Sequence, residues 1–344
     1  MTKGPRPPTI SDVAAQAGVS KRTVSRVLND SPLVNDTTRA TVQKVIRELN
    51  YTPNRHARSL RAKRSYLIGL VYDVPTLFIN DIQKGILNIC SDAGYELVVH
   101  ACHIDHDDLV EDVLKFVDRA KPDGVIMVPP VSLLDTLAEA LDGIGCRYIR
   151  FTSDVADEPW KLVVTNYTPA ISDMTNHLVQ LGHRRMAFIS GPKTNPSSKK
   201  RQEAFEQALA QHRLALSPDM VEVGAFTYES GFAAAKKLLS NENRPTAIFA
   251  GNDEMAFAVM HVADEMGLDI PDDLSLVGFD GTPFSTIVIP ALSTILRPST
   301  GMSQLATRKL LALINNGPDG ARDFDTMVSP QYVPRESTGP APST

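Results

Sequence analysis

Cysteine is scarce in this chain: Cys90, Cys102 and Cys146 are odd in number and lie far apart in apolar surroundings. That excludes a disulfide framework and lacks the close pairs of a zinc site, so the three read as buried thiols of a reducing cytoplasm. With 42% hydrophobic residues the chain is expected to be globular. No stretch reaches the roughly 18 uncharged apolar residues of a membrane span. The opening "MTKGPRPPTI" lacks the apolar run of a secretory signal, so a cytoplasmic location is expected. Also missing are a G-x-x-x-x-G-K-[ST] phosphate loop, an H-E-x-x-H helix and a G-x-S-x-G elbow. Asp253 and Asp280 have no evident base–nucleophile partner. An enzyme is therefore not expected, nor a metal or cofactor.

Net positive charge is confined to one end of the chain. Residues 1 to 65 hold thirteen Lys and Arg against four Asp and Glu, a net of +9. Of the chain totals of 35 and 40, that leaves 22 basic and 36 acidic residues for the remainder, a net of −14. The basic end contains "DVAAQAGVSKRTVSRVLND", which reads as two short helices joined at "AGVS": a turn glycine, then a serine suited to cap the next helix. Ile10, Val13, Ala14 and Ala17 follow helical spacing, as do Val24, Val27 and Leu28 on the second helix. A third stripe, Val42, Val45, Ile46 and Leu49, completes a small core between "NDTT" and Pro53. This is the pattern of a helix-turn-helix, whose second helix enters the DNA major groove. Its base-reading residues are then Lys21, Arg22, Ser25 and Arg26. The alternative is a solvated basic face on a protein-binding bundle.

From Pro53 to Ser65, "PNRHARSLRAKRS" repeats arginine every three residues at Arg55, Arg58 and Arg61. It is either a mobile linker or a helix that offers arginines to phosphates. Beyond Tyr66, β-like runs such as "YLIGLVY", "YELVVHAC" and "GVIMVPP" alternate with helix-length segments, and the pattern restarts at "RMAFIS". Continuous β-branched runs separated by helices predict two doubly wound parallel sheets. Ligands of such sheets bind beyond the carboxyl ends of the strands, so two facing sheets converge on one cleft. The fold class is thus α/β, with a small all-α head and two doubly wound parallel-sheet subdomains. The expected divisions are a head to residue 52, a hinge over 53–65, a body over 66–336 and a short disordered tail over 337–344. Within the body, the first subdomain takes 66–165 plus 294–325, and the second 166–293 plus 326–336.

The segments "TISDVAAQAGVSKRTVSRVLN", "VNDTTR", "LNYTPNRHARSLR" and "SYLIGLV" together resemble the lactose/galactose repressor family of bacterial transcription regulators, over nearly the whole chain. The resemblance implies a body like that of periplasmic binding proteins and a homodimer on a near-palindromic double-stranded operator, controlled by a small effector, and it excludes a membrane role. It implies that Leu60 wedges into the minor groove while Thr23, Thr38, Arg39, Asn54, Arg55 and Arg58 position the backbone. Family positions matching Arg201, Asn252 and Asp280 hydrogen-bond the effector, and the one matching Phe226 stacks on it. Ser197 and, from the first sheet, Tyr72, Asp73, Phe78 and Thr152 are further candidates. On the residues alone, a lone aspartate after a strand, such as Asp280, is more often a turn or cap residue than a ligand contact, and Phe226 also fits plain core. Asp253 reads as the cap of the helix that follows "FAGN".

Two departures bear on the effector. Thr165-Asn166 stands where the family commonly has an acidic residue before the asparagine, and Thr152 where many members have aspartate. The loop "PSSKKR" sets Lys199 and Lys200 beside Arg201; they face either solvent or the cleft, and only in the second case favour an anionic effector. A sugar or sugar derivative is the expected effector, with repression of carbohydrate genes relieved by it; a nucleobase- or sugar-phosphate-responsive regulator is the alternative. An exported sugar-binding protein would have no use for the basic head. After "VSPQYVPRES" no leucine heptads follow, so a dimer rather than a tetramer is expected. Arg22→Ala should cost about 1–3 kcal/mol of operator affinity and relax one base position. Binding titrations on a set of single-base operator variants measure this; a uniform loss across the set would remove Arg22 from base reading.

Overall fold

The computed structural model describes residues 8–28, 31–51, 64–152, 157–193 and 195–342. The chain divides into two units, Met1–Tyr66 and Leu67–Thr344. In the first, α1 (Ile10–Gln16), α2 (Lys21–Leu28) and α3 (Asp36–Glu48) form the expected head. The Thr9 N–H and hydroxyl both donate to the Asp12 carboxylate, at 2.7 and 2.6 Å, and so secure the start of α1. Gly18 takes a left-handed φ of 65° in the turn. Ser20 Oγ accepts from the Thr23 N–H at 3.1 Å, as the serine after that turn predicts. Asn35 caps α3 by accepting from the Thr38 N–H at 2.8 Å. Val13, Ala14, Val24, Val27, Val42 and Val45 are buried as their spacing requires, joined by Val34 and Tyr51. The hinge residues Asn54, Arg55, Arg58 and Leu60 lie outside the described residues.

The second unit contains two lobes. The first runs through β1 (Leu67–Tyr72), α4 (Leu77–Ala93), β2 (Glu96–Ala101), α5 (Leu109–Ala120), β3 (Gly124–Met127), α6 (Asp135–Gly143), β4 (Tyr148–Thr152) and β5 (Leu162–Thr165). The second runs through α7 (Thr168–Gln180), β6 (Met186–Ser190), α8 (Pro196–Gln211), β7 (Val221–Val223), α9 (Tyr228–Leu239), β8 (Ala247–Ala250), α10 (Asp253–Glu265), β9 (Ser275–Asp280) and β10 (Ser293–Leu296). The chain then returns to the first lobe for α11 (Ser299–Asn316), α12 (Pro318–Arg322) and β11 (Met327–Val328), and crosses again for β12 (Gln331–Val333). The sheet orders are β11-β5-β4-β3-β1-β2 and β12-β10-β9-β8-β6-β7. All neighbours are parallel except β12, which pairs antiparallel with β10.

The two sheets share one design. β1 meets β3 from Ile68 opposite Gly124 to Val71 opposite Met127, and β6 meets β8 from Met186 opposite Ala247 to Ile189 opposite Ala250. Inner strands β3, β4, β6 and β8 are buried along their whole length, as helices on both faces demand. The edge strand β2 is only partly covered. Helices α4 and α11 meet at Gly85, where a Cβ would collide with Ser303 and the Thr300 carbonyl. Cys90 and Cys102 are buried and Cys146 is half-buried. Burial pushes their thiols up to about 11, 12 and 11 respectively, which leaves them protonated and inert. No helix among the described residues is long and apolar enough to cross a membrane.

Two expected boundaries shift. β10 belongs to the second sheet, so the first return lies after Leu296 rather than at 294. β11 pairs with β5, so the second lies after Val328 rather than at 326. Strands of two to four residues carry too little periodicity to be read from the chain, and pairing with distant partners decides their lobe.

The tail also differs from expectation. Ser337 is fully buried: its carbonyl accepts from Leu276 N–H at 2.8 Å and its hydroxyl from Ser293 N–H at 2.8 Å. The Gly339 carbonyl lies 3.0 Å from His183 Nε2, and Ala341 N–H donates to the Leu181 carbonyl at 2.8 Å. A segment with almost no apolar side chains is ordered by hydrogen bonds into a polar slot, where composition alone suggests disorder. Truncation after Glu336 leaves several buried donors unmatched, each worth about 1–3 kcal/mol. It should lower unfolding stability by roughly 3 kcal/mol or more in urea titrations; an unchanged midpoint would restore the disordered tail.

Candidate ligand cleft and nucleic-acid face

In the head, the spacing that buries Val24 and Val27 turns Lys21 and Arg22 outward, and both are exposed at the first turn of α2. Thr23, Ser25 and Arg26 are half-buried beside them. Thr23 Oγ1 lies 2.9 Å from Ser20 Oγ. Thr38 sits in the first turn of α3, and Arg39 donates to the Ser31 carbonyl at 2.7 Å.

In the body, strand ends of both lobes border one cleft of about 400 Å³. Asp73 and Phe78 follow β1. Ser197 and Arg201 lie in the first two turns of α8, Phe226 follows β7, Asn252 follows β8, and Asp280 ends β9. Arg201 is buried. Its guanidinium carbon lies 3.7 Å from the centre of the Phe279 ring, 5.4 Å from Phe226 and 5.5 Å from Tyr167. One Nη donates to the Gly251 carbonyl. Burial lowers the Arg201 pKa to about 10, so it remains a cation at neutral pH.

Two bordering residues adopt left-handed backbone. Phe226 has φ 62° and Asp280 φ 105°, a conformation that costs roughly 1–3 kcal/mol for a side chain of this kind. Asn252 Nδ2 donates to the Phe226 carbonyl at 2.8 Å, which holds the strained residue. The Phe226 ring lies over Gly191, where any Cβ would collide with it. The Asp280 carboxylate accepts from Arg297 at 3.0 Å, and Arg297 in turn lies 4.0 Å over the Phe78 ring.

The cap role expected of Asp253 falls to Asn252. Asn252 Oδ1 accepts from Met255 N–H at 3.0 Å, so Asn252 caps α10, and its amide is shared between capping, Phe226 and the cleft wall. Asp253 is fully buried instead. It accepts from the Thr282 N–H at 2.7 Å, the Thr282 hydroxyl at 3.0 Å and the Thr294 hydroxyl at 2.7 Å, and ties β10 to the loop after β9. The missing Cβ of Gly278 makes the room it occupies.

Four other candidates lie away from the cleft wall. Tyr72 and Thr152 are buried near their strand ends and do not border the cleft. Lys199 is 77% exposed and pairs with Glu203 at 3.6 Å. Lys200 borders a separate groove with Glu203, Gln207 and Met327. Sequence reasoning missed Arg297. It stands directly after β10, so the strand-end rule would have reached it had "STIL" been taken as a strand.

Residues 9–54 match the family described as bacterial regulatory proteins, lacI family, and residues 175–338 match the periplasmic binding protein-like domain. The chain is 33% identical to the probable HTH-type transcriptional repressor ExuR of Bacillus subtilis (strain 168), over 89% of this chain and 92% of that protein. It is 32% identical to catabolite control protein A of Priestia megaterium, again over 89% and 92%. The crystal structure of the Lac repressor dimer bound to operator and the anti-inducer ONPF is similar at a TM-score of 0.78 and 28% identity, over 97% of this chain and all of that one.

Burial first, and then Asp280, raise the Asp253 carboxyl from 3.8 to about 7. The folded state thus holds this proton more tightly than the unfolded chain. Its contribution to stability is full below 3.8 and is lost as pH rises toward 7. Asp253→Asn should flatten the decline of the melting temperature over that window. A slope equal to that of the wild type would place the titrating group elsewhere.

Proposed function

The chain belongs to the lacI family of bacterial regulatory proteins, and from that premise we propose that it is a cytoplasmic, homodimeric repressor of carbohydrate genes. In this reading it grips a near-palindromic operator according to a small effector in the body's cleft. The observation that carries the reading is the exposure of Lys21 and Arg22 on the first turn of α2, at the front of a segment, residues 1–65, of net charge +9. A basic face on this scale repels itself unless a polyanion compensates it.

Lys21 and Arg22 read base edges, with guanine O6 and N7 as the best acceptors, and Ser25 and Arg26 follow one turn on. Thr23, Thr38, Arg39, Asn54, Arg55 and Arg58 meet or position the phosphate backbone, and Leu60 acts as the minor-groove wedge. The body contributes control. Arg201, Asn252, Asp280, Ser197 and Asp73 offer donors and acceptors to several hydroxyls, while Phe78 and Phe226 offer apolar faces. A ligand bridging the two lobes changes operator affinity only by as much as it prefers one arrangement of them over the other. The reading is of a regulator rather than an enzyme.

Selection of full-length protein against a random duplex pool should enrich a near-palindrome with half-sites about one helical turn apart or somewhat more. Affinity for it should fall about 10³-fold or more between 50 and 200 mM salt if six to ten phosphates are contacted. Enrichment of no motif, or an affinity indifferent to salt, would overturn the reading.

A further inference from the structure

We propose that the ligand of the cleft is a small polyhydroxylated anion, held by its carboxylate or phosphate group between Arg201 and Arg297. The inference rests on the cleft being the effector site. It concerns the charge of the ligand, which the family does not fix.

Both guanidiniums are out of solvent, at 4% and 9% residue exposure. They approach the same ring, Phe279, at 3.7 and 5.9 Å, so the two charges share one small region. Among the described residues Asp280 is the carboxylate in direct ion-pair contact there, with Arg297 at 3.0 Å, while Asp253, Glu254 and Asp81 lie within electrostatic reach of it. Arg201 has Tyr167 and the neutral Gly251 carbonyl as hydrogen-bond partners, and among the described residues no carboxylate lies within ion-pair distance of it. The Nε of Arg201 and the Nε of Arg297 are both buried without a hydrogen-bond partner.

Among the described residues the other acids of the cleft make no ion pair with either arginine. Asp253 spends its oxygens on Thr282 and Thr294. Asp73 accepts from the Ile104 N–H at 3.2 Å on the opposite lobe. Asp105 is exposed and Glu254 half-buried, and neither pairs with these arginines. Arg201 is thus a buried cation without a directly paired carboxylate in a region of low dielectric, a costly arrangement unless an anion completes it. Guanidinium forks match the paired oxygens of a carboxylate or phosphate. The remaining wall offers amide and hydroxyl groups at Asn195, Ser197 and Thr227, and the volume of about 400 Å³ suits a ligand of monosaccharide size. Lys199 and Lys200 play no part, since neither borders the cleft.

The test uses the full-length protein with glucose, glucuronate and glucose 6-phosphate, and with the three galactose counterparts, followed by thermal shift and calorimetry. At least one anion should bind saturably, at least tenfold tighter than its neutral parent. The uronate and phosphate arms tell which acid group the arginines take. Arg297→Gln should weaken that anion at least tenfold, and Arg297→Lys should recover part of the loss, with circular dichroism reporting the fold of each variant. A neutral sugar that binds as tightly as its anion overturns the proposal and leaves the cleft as the effector site. Anion binding untouched by Arg297→Gln overturns it too. If none of the six binds while operator selection succeeds, the sugar-effector reading falls and the proposal with it.

Discussion

A guanidinium withdrawn from water must be matched by something, and the strand ends of the second lobe are arranged around that demand at Arg201. Its guanidinium lies over the Phe279 ring, and one Nη meets the Gly251 carbonyl. Phe226 closes a further side, although its backbone must take a left-handed conformation to do so. The bond from Asn252 to the Phe226 carbonyl holds that conformation, and the bare Cα of Gly191 leaves space for the ring. Each of these features is small alone. Together they fix a cation at the floor of a cleft, and a rigid cation is what a polar ligand can use for orientation.

The same economy governs the neighbouring carboxylates. Asp253 and Asp280 lie close enough for each to feel the other, yet they have separate tasks. Asp253 is enclosed by threonine donors and joins the segments after β9 and around β10, so that a buried acid serves as a structural clamp. Asp280 remains at the cleft, strained in its backbone and paired with Arg297. The clamp matters to the site because β10 leads directly into Arg297 and then crosses to the first lobe at α11. The segment that carries the second arginine is thus one of the connections between lobes, and a ligand that engages it acts at a place where the lobes are joined.

Charge is divided along the chain in a way that suits the two tasks. The head concentrates positive charge where a polyanion is to be met, whereas the remainder is acidic and offers nucleic acid little attraction. The arginines of the cleft are exceptions, hidden from long-range fields by burial.

Much of this organisation was legible in the chain because it depends on local repetition. Helical spacing determined the head's core and turned Lys21 and Arg22 outward; alternation of β-branched runs with helices determined two parallel sheets. The rule that ligands gather at strand ends, together with the family resemblance, reached Arg201, Asp280, Phe226, Asn252, Ser197, Asp73 and Phe78. Tertiary structure alone decided the rest. Side chains at a strand end alternate between faces, so one position of register separates a cleft residue from a buried one, as Tyr72 and Thr152 demonstrate. β10 and β11 are too short to reveal themselves, and only pairing with β9 and β5 assigns their lobes and sets Arg297 against Asp280. Residues 337–342 are held by groups more than forty residues away in sequence, such as Ser293 and His183. Local periodicity is a property of consecutive residues, whereas the matching of buried polar groups belongs to residues brought together only when the sheets close.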